Sequence, residues 1–387
     1  DIQGHLELMW NLQNYLKEVS GLHDVTLQPA AGAHGELTGI MCIKAHFASK
    51  GELDMRTEIL IPGAAHGTNP ATAAMAGFKA VTLKDNDDGS IDIELLRSKV
   101  GPKTAAMMIT NPNTLGIIEK QMPEIAKILH EAGAQLYMDG ANMNAISGIV
   151  RPGDYGVDVM HFNLHKTYAV PHGGGGPGAG PIAVAEHLSA YLPTPRINKN
   201  DDGSFSFQHD CPKSVGKVRS FFGNYGALVM AYIYMSQLGR EGVRRMSEIA
   251  VINANYIRVS LRDYFHVHVD RINAHETVFT DKIQHKENGV STLDIAKRLI
   301  DYGMHPMTIY FPLPQNTGGH GAMMVEPTET ESKEAIDYFI ESMKKIAVEC
   351  KENPELVKTA PHTTPVSRVD EKTASTNPQL YCPMCLS

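Results

Sequence analysis

Short apolar runs alternate with stretches of helical periodicity through the first two thirds of the chain. The runs Glu58 to Ile61, Ala80 to Leu83, Ala105 to Ile109, Gln135 to Met138, Val157 to Phe162 and Gly180 to Val184 predict strands, while Gly39 to Ile43 fits a strand or a helix equally. Helical spacing lies between them at Asn69 to Gly77, Ile93 to Val100 and Met122 to Ala132. Alternation of this kind predicts an α/β fold, a mainly parallel sheet covered by helices on both faces. Ligands in such sheets bind at the carboxyl ends of the strands.

From Gly226 to Tyr264 the pattern is helical, broken around Gly239 to Gly242. Beyond it, strand candidates (Phe265 to Val269, Met307 to Phe311, Ala322 to Glu326) mix with helices at Thr292 to Tyr302 and Glu331 to Cys350. The expected organisation is a large α/β domain over residues 1–245, a linking helix and small α+β domain over 246–357, and an extended tail over 358–387 that is rich in Pro, Thr and Ser.

Composition narrows the ligands. A hydrophobic content of 42% is ample for buried cores. A net charge of −8 with both signs interspersed excludes the basic footprint of nucleic-acid binding. No apolar run approaches the roughly 20 residues of a membrane span. Five cysteines without regular spacing, and no charged leader before an apolar segment, point to the reducing cytoplasm. The terminal Cys382, Pro383, Met384, Cys385 has no second pair elsewhere, so no metal site is expected. Asp1 opens directly on an amphipathic pattern, which reads as the inside of a longer product.

The chemistry concentrates at Lys166. It follows the strand candidate Val157 to Phe162 and precedes the glycine block Gly173 to Gly176, while Asp139 ends the preceding strand candidate. An amine able to bond a cofactor, and an anion able to keep a pyridine nitrogen protonated, are what pyridoxal 5'-phosphate (PLP) requires. Each residue has a blander reading: a surface lysine, and a helix N-cap. The glycine block is either a bare loop or one that lets backbone approach a cofactor closely, and His172 beside it is a candidate proton carrier. A phosphate needs N–H donors at a helix start, which Gly32, Ala33, His34 and Gly35 supply ahead of a helical pattern, though such a turn is often only a cap.

The stretches AAGAHGE (30–36), AHGTNPATAAMAGFK (65–79), TNPNTLG (110–116), YMDGANMNA (137–145), NLHKT with PHGGGGPGAGP (163–181), EPTETESKE (326–334) and APHTTPVSR (360–368) carry a resemblance. Together they resemble the PLP-bearing subunit of glycine dehydrogenase (decarboxylating), the P-protein of the glycine cleavage system in its two-polypeptide form. The resemblance runs from about Gly4 to Asp370 and implies fold type I of the PLP-dependent transferases. It implies Lys166 as the covalent anchor, Asp139 on the ring nitrogen, Ala141 against one ring face and His66 on the other. Asn163 and His165 resemble the Ser-x-His-Lys arrangement in which the residues before the lysine reach the phosphate, with Asn here in place of Ser. Asn113 and Thr114 are either contacts to the ring's phenolic oxygen or an Asn-Pro turn, and His66 is either a stacking ring or a loop residue.

The implied reaction is decarboxylation of glycine with transfer of the aminomethyl group to the lipoyl arm of H-protein. The implied partners are P-protein subunit 1, in an α2β2 assembly, and lipoylated H-protein, with no nucleic acid and no membrane. A Cys-Thr-Met-Lys segment usual in the family's N-terminal stretch is absent from this sequence. Two other readings use the same residues. A cysteine desulfurase needs a cysteine on a mobile loop, for which only Cys211 serves, since Cys350 follows a helical pattern. A non-catalytic scaffold subunit would have no use for Lys166 and Asp139.

Overall fold

The computed structural model describes residues 2–172, 176–220, 223–309 and 321–378. The sequence-predicted strand Met307 to Phe311 lies partly outside them, and most of the glycine block and the terminal Cys-x-x-Cys lie wholly outside. In chain order the first part runs α1 (Gln3–Ser20), β1 (Asp24–Thr26), α2 (Gly32–Ser49), β2 (Glu58–Pro62), α3 (Asn69–Met75), β3 (Lys79–Leu83), α4 (Ile93–Lys99) and β4 (Thr104–Thr110). It continues α5 (Met122–Glu131), β5 (Gln135–Gly140), β6 (Val159–Phe162), the single turn α6 (Leu164–Thr167), β7 (Ile182–Val184), a hairpin β8 (Arg196–Lys199) and β9 (Phe205–Gln208), and α7 (Tyr225–Leu261).

Seven strands form one sheet in the order β1-β7-β6-β5-β4-β2-β3. The pairs β3–β2, β2–β4, β4–β5 and β5–β6 are parallel, and β7 is antiparallel to both β6 and β1. The mainly parallel sheet expected from the alternation is therefore present, with an antiparallel margin that short strands gave no means of foreseeing. β4 and β5 are buried at every position, which explains their unbroken apolar runs. Among the described residues no helix is long and apolar enough to cross a membrane.

Gly39 to Ile43 resolves as helix, the middle of α2. The helix is buried on most sides, so its apolar run gave no period to read. Its glycines explain how close it lies to the sheet. A Cβ at Gly35 would stand 2.6 Å from the Gly180 carbonyl oxygen, and one at Gly39 would stand 2.7 Å from the Tyr137 ring. Only bare backbone allows that approach, and it brings the first turn of α2 down onto β5 and β6.

The chain packs as two units. The first comprises Asp1–Tyr256, Val269–Thr277 and Glu326–Thr330, the second Ile257–His268, Val278–Val325 and Glu331–Ser387. Within α7 the break predicted from Gly239 to Gly242 is real: Gly239 has φ 61° and ψ −172°. The second unit contains β10 (His266–Val267), β11 (Thr277–Thr280, whose first residue belongs to the first unit), α8 (Lys282–Asn288), α9 (Thr292–Asp301), β12 (Thr308–Ile309), β13 (Ala322–Val325) and α10 (Lys333–Glu352). Its four strands run in the order β10-β11-β13-β12 over a core that includes Phe265, Phe279, Leu299 and Met343. β11 and α8 were not foreseen, being short and without a clear period. A short helix, Pro354–Lys358, leads into the tail, and the tail itself holds another, Glu371–Thr376, where extended chain was expected.

Candidate active site

Thr110, Asp139 and His161 are register partners on β4, β5 and β6 near the carboxyl ends of those strands. Partners in register share a face, so these polar groups form a row across the sheet beside α2. Asp139 accepts from the Ala141 N–H at 2.9 Å and from Asn69 Nδ2 at 3.2 Å, and its carboxylate stands 3.3 Å from His161 Nε2. His161 Nδ1 is 2.7 Å from the Tyr137 hydroxyl. Burial opposes ionisation of Asp139, but His161, His66, the Ala141 N–H and Lys166 together outweigh it and hold the carboxyl below the ordinary carboxylate range. Asp139 is thus a fixed, buried anion at a strand end.

Glu36 braces this arrangement from α2. It accepts from Thr68 Oγ1 at 2.5 Å, Asn69 Nδ2 at 2.9 Å and Thr72 Oγ1 at 3.1 Å. Asn69 bridges Glu36 and Asp139, so the helix start, the α3 start and β5 are locked together. His66 lies in the same loop. Its backbone N–H donates to Thr110 Oγ1 at 2.9 Å, and its Nδ1 is 2.8 Å from Thr68 Oγ1.

Lys166 lies on α6, with its side chain exposed, and its charge is felt by Asp139. On either side of it, Asn163 Oδ1 and Thr167 Oγ1 are buried with no hydrogen-bond partner among the described residues. Asn163 faces the start of α2: a Cβ at Gly32 would stand 2.3 Å from its Oδ1. The N–H groups of Gly32, Ala33 and His34 open an 18-residue helix and have no intrahelical acceptors. Burial, with some help from Arg219, holds His34 in its neutral form by lowering its pKa. His165 accepts from the Ala179 N–H at 3.2 Å, and its ring centroid lies 4.3 Å from that of His172. Burial, then His172 and Lys166, push the His165 pKa down to about 4, so this ring stays neutral at physiological pH.

The structure brings Lys166, Asp139, Ala141, His66, Asn163, His165, His172 and the Gly32–His34 turn to the strand-end side of the sheet. Asn113 and Thr114 sit there with their side chains engaged in building their own turn. Asn113 donates to the Gly89 carbonyl at 2.8 Å and accepts from the Leu115 and Ile117 N–H groups at 3.0 Å, while Thr114 Oγ1 donates to the Ala64 carbonyl at 3.0 Å.

Several residues here escaped the sequence reading. Glu36, Asn69, Tyr137 and His161 support Asp139, and a histidine inside the run Val157 to Phe162 was the available sign of His161. Asn224 donates to the Ala30 and Gly178 carbonyls and accepts from Arg219, tying a later segment to the α2 start. His275, Glu276 and Glu326 gather near Lys166, whose charge acts on both His275 and Glu276.

The residues present fit PLP on the structure's own terms. An exposed lysine, an ionised buried carboxylate, an unpartnered Thr167 hydroxyl and a helix start with free N–H groups match an aldehyde, a pyridine nitrogen and a phosphate.

Residues 246–364 match the family model described as glycine dehydrogenase, C-terminal domain, and residues 38–175 match aminotransferase class-V. A probable glycine dehydrogenase (decarboxylating) subunit 2 from Staphylococcus haemolyticus is 53% identical over 98% of this chain and 76% of its own length. A protein of the same description from Pyrococcus abyssi is 52% identical over 97% of this chain and 75% of its own length. Among solved structures, an inhibitor-bound glycine decarboxylase (P-protein) of the glycine cleavage system superposes with a TM-score of 0.72 at 22% identity, covering 89% of this chain and 76% of that one. An apo cysteine desulfurase from Thermococcus onnurineus superposes at 0.66 with 15% identity, covering 88% and 84%. These last two show a shared fold, that of fold-type I PLP enzymes.

Proposed function

The chain belongs to the glycine dehydrogenase (decarboxylating) subunit 2 family, and on that premise we propose how its residues divide the work of the reaction. Members of this family serve as the P-protein of the glycine cleavage system, and this chain is such an enzyme, a decarboxylating glycine dehydrogenase. Kinship implies dependence on PLP and, from the designation subunit 2, a companion subunit 1. The finer assignments are our reading.

Lys166 bonds PLP covalently. Asp139 binds the ring nitrogen and keeps it protonated, which an anion at contact distance favours by about 1.4 to 4 kcal/mol. Ala141 and His66 flank the ring. The N–H groups of Gly32, Ala33 and His34 bind the phosphate, supported by Asn163 and His165, and His172 carries protons at the mouth. Asn113 and Thr114 shape the loop that borders the ring, holding it through the turn contacts they already make. PLP, when bound, supplies the electron sink that decarboxylation needs. The chain orients glycine so that the bond to its carboxylate is the one that breaks, and it delivers the aminomethyl group to the lipoyl arm of H-protein in the cytoplasm. An α2β2 assembly with subunit 1 completes the enzyme.

The observation that carries this reading is Asp139, a fully buried carboxylate held anionic on β5 while sensing the Lys166 charge. Borohydride reduction of the loaded protein, followed by peptide mass spectrometry, tests it. The pyridoxyl group is expected on Lys166, and a label on another lysine overturns the assignment.

A further inference from the structure

His275 and Glu276 are fully buried, yet beyond their contact with each other no imidazole nitrogen and no carboxylate oxygen has a hydrogen-bond partner among the described residues. They face each other at 3.2 Å, Nε2 to Oε1, poorly aligned but close enough for each to favour the other's charged form. Glu326 Oε1 lies 3.9 Å from His275 Nε2 and accepts from Asn144 Nδ2 at 3.0 Å. Asn144 Oδ1 is itself buried and unpartnered. Leaving so many buried polar atoms unmatched costs about 1–3 kcal/mol for each stranded group, so a fold keeps them only where something else satisfies them.

The location is defined by backbone. The Ala274 N–H donates to the Gly116 carbonyl at 2.7 Å and Asn273 Nδ2 donates to the Leu115 carbonyl at 3.2 Å. A Cβ at Gly116 would stand 2.2 Å from the Glu276 carbonyl oxygen, so the segment lies directly on the loop that follows β4. Asn144 belongs to the turn Met143–Ala145 that follows β5, and α6, which carries Lys166, packs on that turn. The cluster therefore sits at the same strand-end edge as the site.

The unmatched atoms are mostly acceptors: two oxygens of Glu276 and the Asn144 oxygen, beside the Glu326 carboxylate. What they lack is a donor with positive charge. Lys166 is the cation whose field both His275 and Glu276 register. Resting on the reading above, we infer that this cluster is the berth for the Lys166 ammonium once glycine has displaced it from the cofactor.

The exchange balances. Glycine enters as a zwitterion; the carbon–nitrogen double bond to Lys166 breaks as one to the glycine nitrogen forms. As the glycine nitrogen gives up N–H protons to form its new bond, Lys166 takes up the same number and leaves as an ammonium, and no electrons change hands. An ammonium freed beside a protonated ring is repelled by it, and carboxylates that draw it aside keep the displaced state populated. The cluster is suited to the change of charge. Burial pushes the Glu276 carboxyl up; His275 is lowered by burial but raised further by Glu276 and Glu326, and the Lys166 charge lowers both. His275 and Glu276 are positioning residues, acting through Lys166.

The test is a trapping experiment on the full chain loaded with PLP. Saturating glycine is added without H-protein, borohydride follows, and the ratio of pyridoxylglycine to pyridoxyl on Lys166 is read by mass spectrometry. Glu276→Gln is expected to lower that ratio about tenfold, the equivalent of one pKa unit of lost interaction, and Glu276→Asp to recover part of it. The Glu326 side chain is 37% exposed, so Glu326→Gln provides a substitution that folding tolerates, with an expected fall of several-fold. Labelling of Lys166 without glycine is expected to match the parent in each variant, which reports an intact site. An unchanged ratio in Glu276→Gln and Glu326→Gln, with Lys166 still labelled, overturns the berth and leaves the functional reading standing. Absence of a Lys166 label in the parent overturns both.

Discussion

Two buried imidazole–carboxylate pairs lie on the strand-end side of the first unit, and they are built in opposite ways. Asp139 and His161 approach to 3.3 Å, and each has further partners: Ala141 and Asn69 for the carboxylate, Tyr137 for the ring. His275 and Glu276 approach to 3.2 Å and, beyond each other, have no hydrogen-bond partner among the described residues. The first pair spends its hydrogen-bonding capacity on the scaffold, which fixes one carboxylate as a permanent anion. The second holds its capacity in reserve. The same chemical groups thus serve as a frame in one place and a receptor in the other, and the hydrogen-bond inventory tells them apart where composition does not.

The largest effect that separates them is on activity. Asp139→Asn is expected to retain cofactor on Lys166 but lose about 10- to 1000-fold in glycine–bicarbonate exchange, the span corresponding to 1 to 3 pKa units of lost anion support. Exchange at the parent rate would show that Asp139 is frame alone. The next effect is on stability. Glu36→Ala strands the donors of Thr68, Asn69 and Thr72, and about 3 kcal/mol should be lost, read as a lowered urea midpoint. Glu276→Gln provides the counterpart: it weakens only the contact with His275, which can shed its proton so that no charge is stranded. A change within about 1 kcal/mol is expected, and a loss as large as that of Glu36→Ala would erase the contrast.

The smallest effect concerns pH. His165 and His46 are both held down to about 4, chiefly by burial, with His172 and Lys166 acting on the first and Lys50 and His187 on the second. The unfolded chain takes up these protons near pH 6.5 and the folded chain only near 4, so the unfolded state binds more protons between those values. The contribution to stability is complete above about pH 6.5 and is lost as pH falls toward 4. His46, with both ring nitrogens buried and unpartnered among the described residues, offers the cleaner probe. Urea midpoints measured from pH 4.5 to 7 should fall less steeply in His46→Gln than in the parent.

How much of this was legible in the sequence depends on chain distance. Asp139 announces itself as a polar break at the end of an apolar run, Lys166 by its place between such a run and the glycine block, and the Gly32–His34 turn as small residues ahead of a helical pattern. The other strands of the sheet were legible as short apolar runs, apart from β1, which is too short to show a period, while at Gly39 to Ile43 burial of most of α2 erased the difference between periods. His161 was hidden because it lies in a strand buried at every position, where no alternation marks a face. Glu36 stood in a recognised motif, but its work depends on Thr68, Asn69 and Thr72, which only folding brings to it. His275, Glu276 and Glu326 lie more than a hundred residues beyond Lys166, in stretches that read as part of a different unit.

That last placement governs how the protein is made. Val269–Thr277 and Glu326–Thr330 belong to the first unit although the chain visits the second before and between them. A ribosome delivering the chain from its N-terminus releases the whole seven-stranded sheet long before it releases Glu326. The sheet can settle early, as N-terminal units do during synthesis, but the pocket must wait with one wall missing. A nascent chain paused between residues 166 and 326 therefore carries Lys166 and Asp139 without the carboxylate that Asn144 holds.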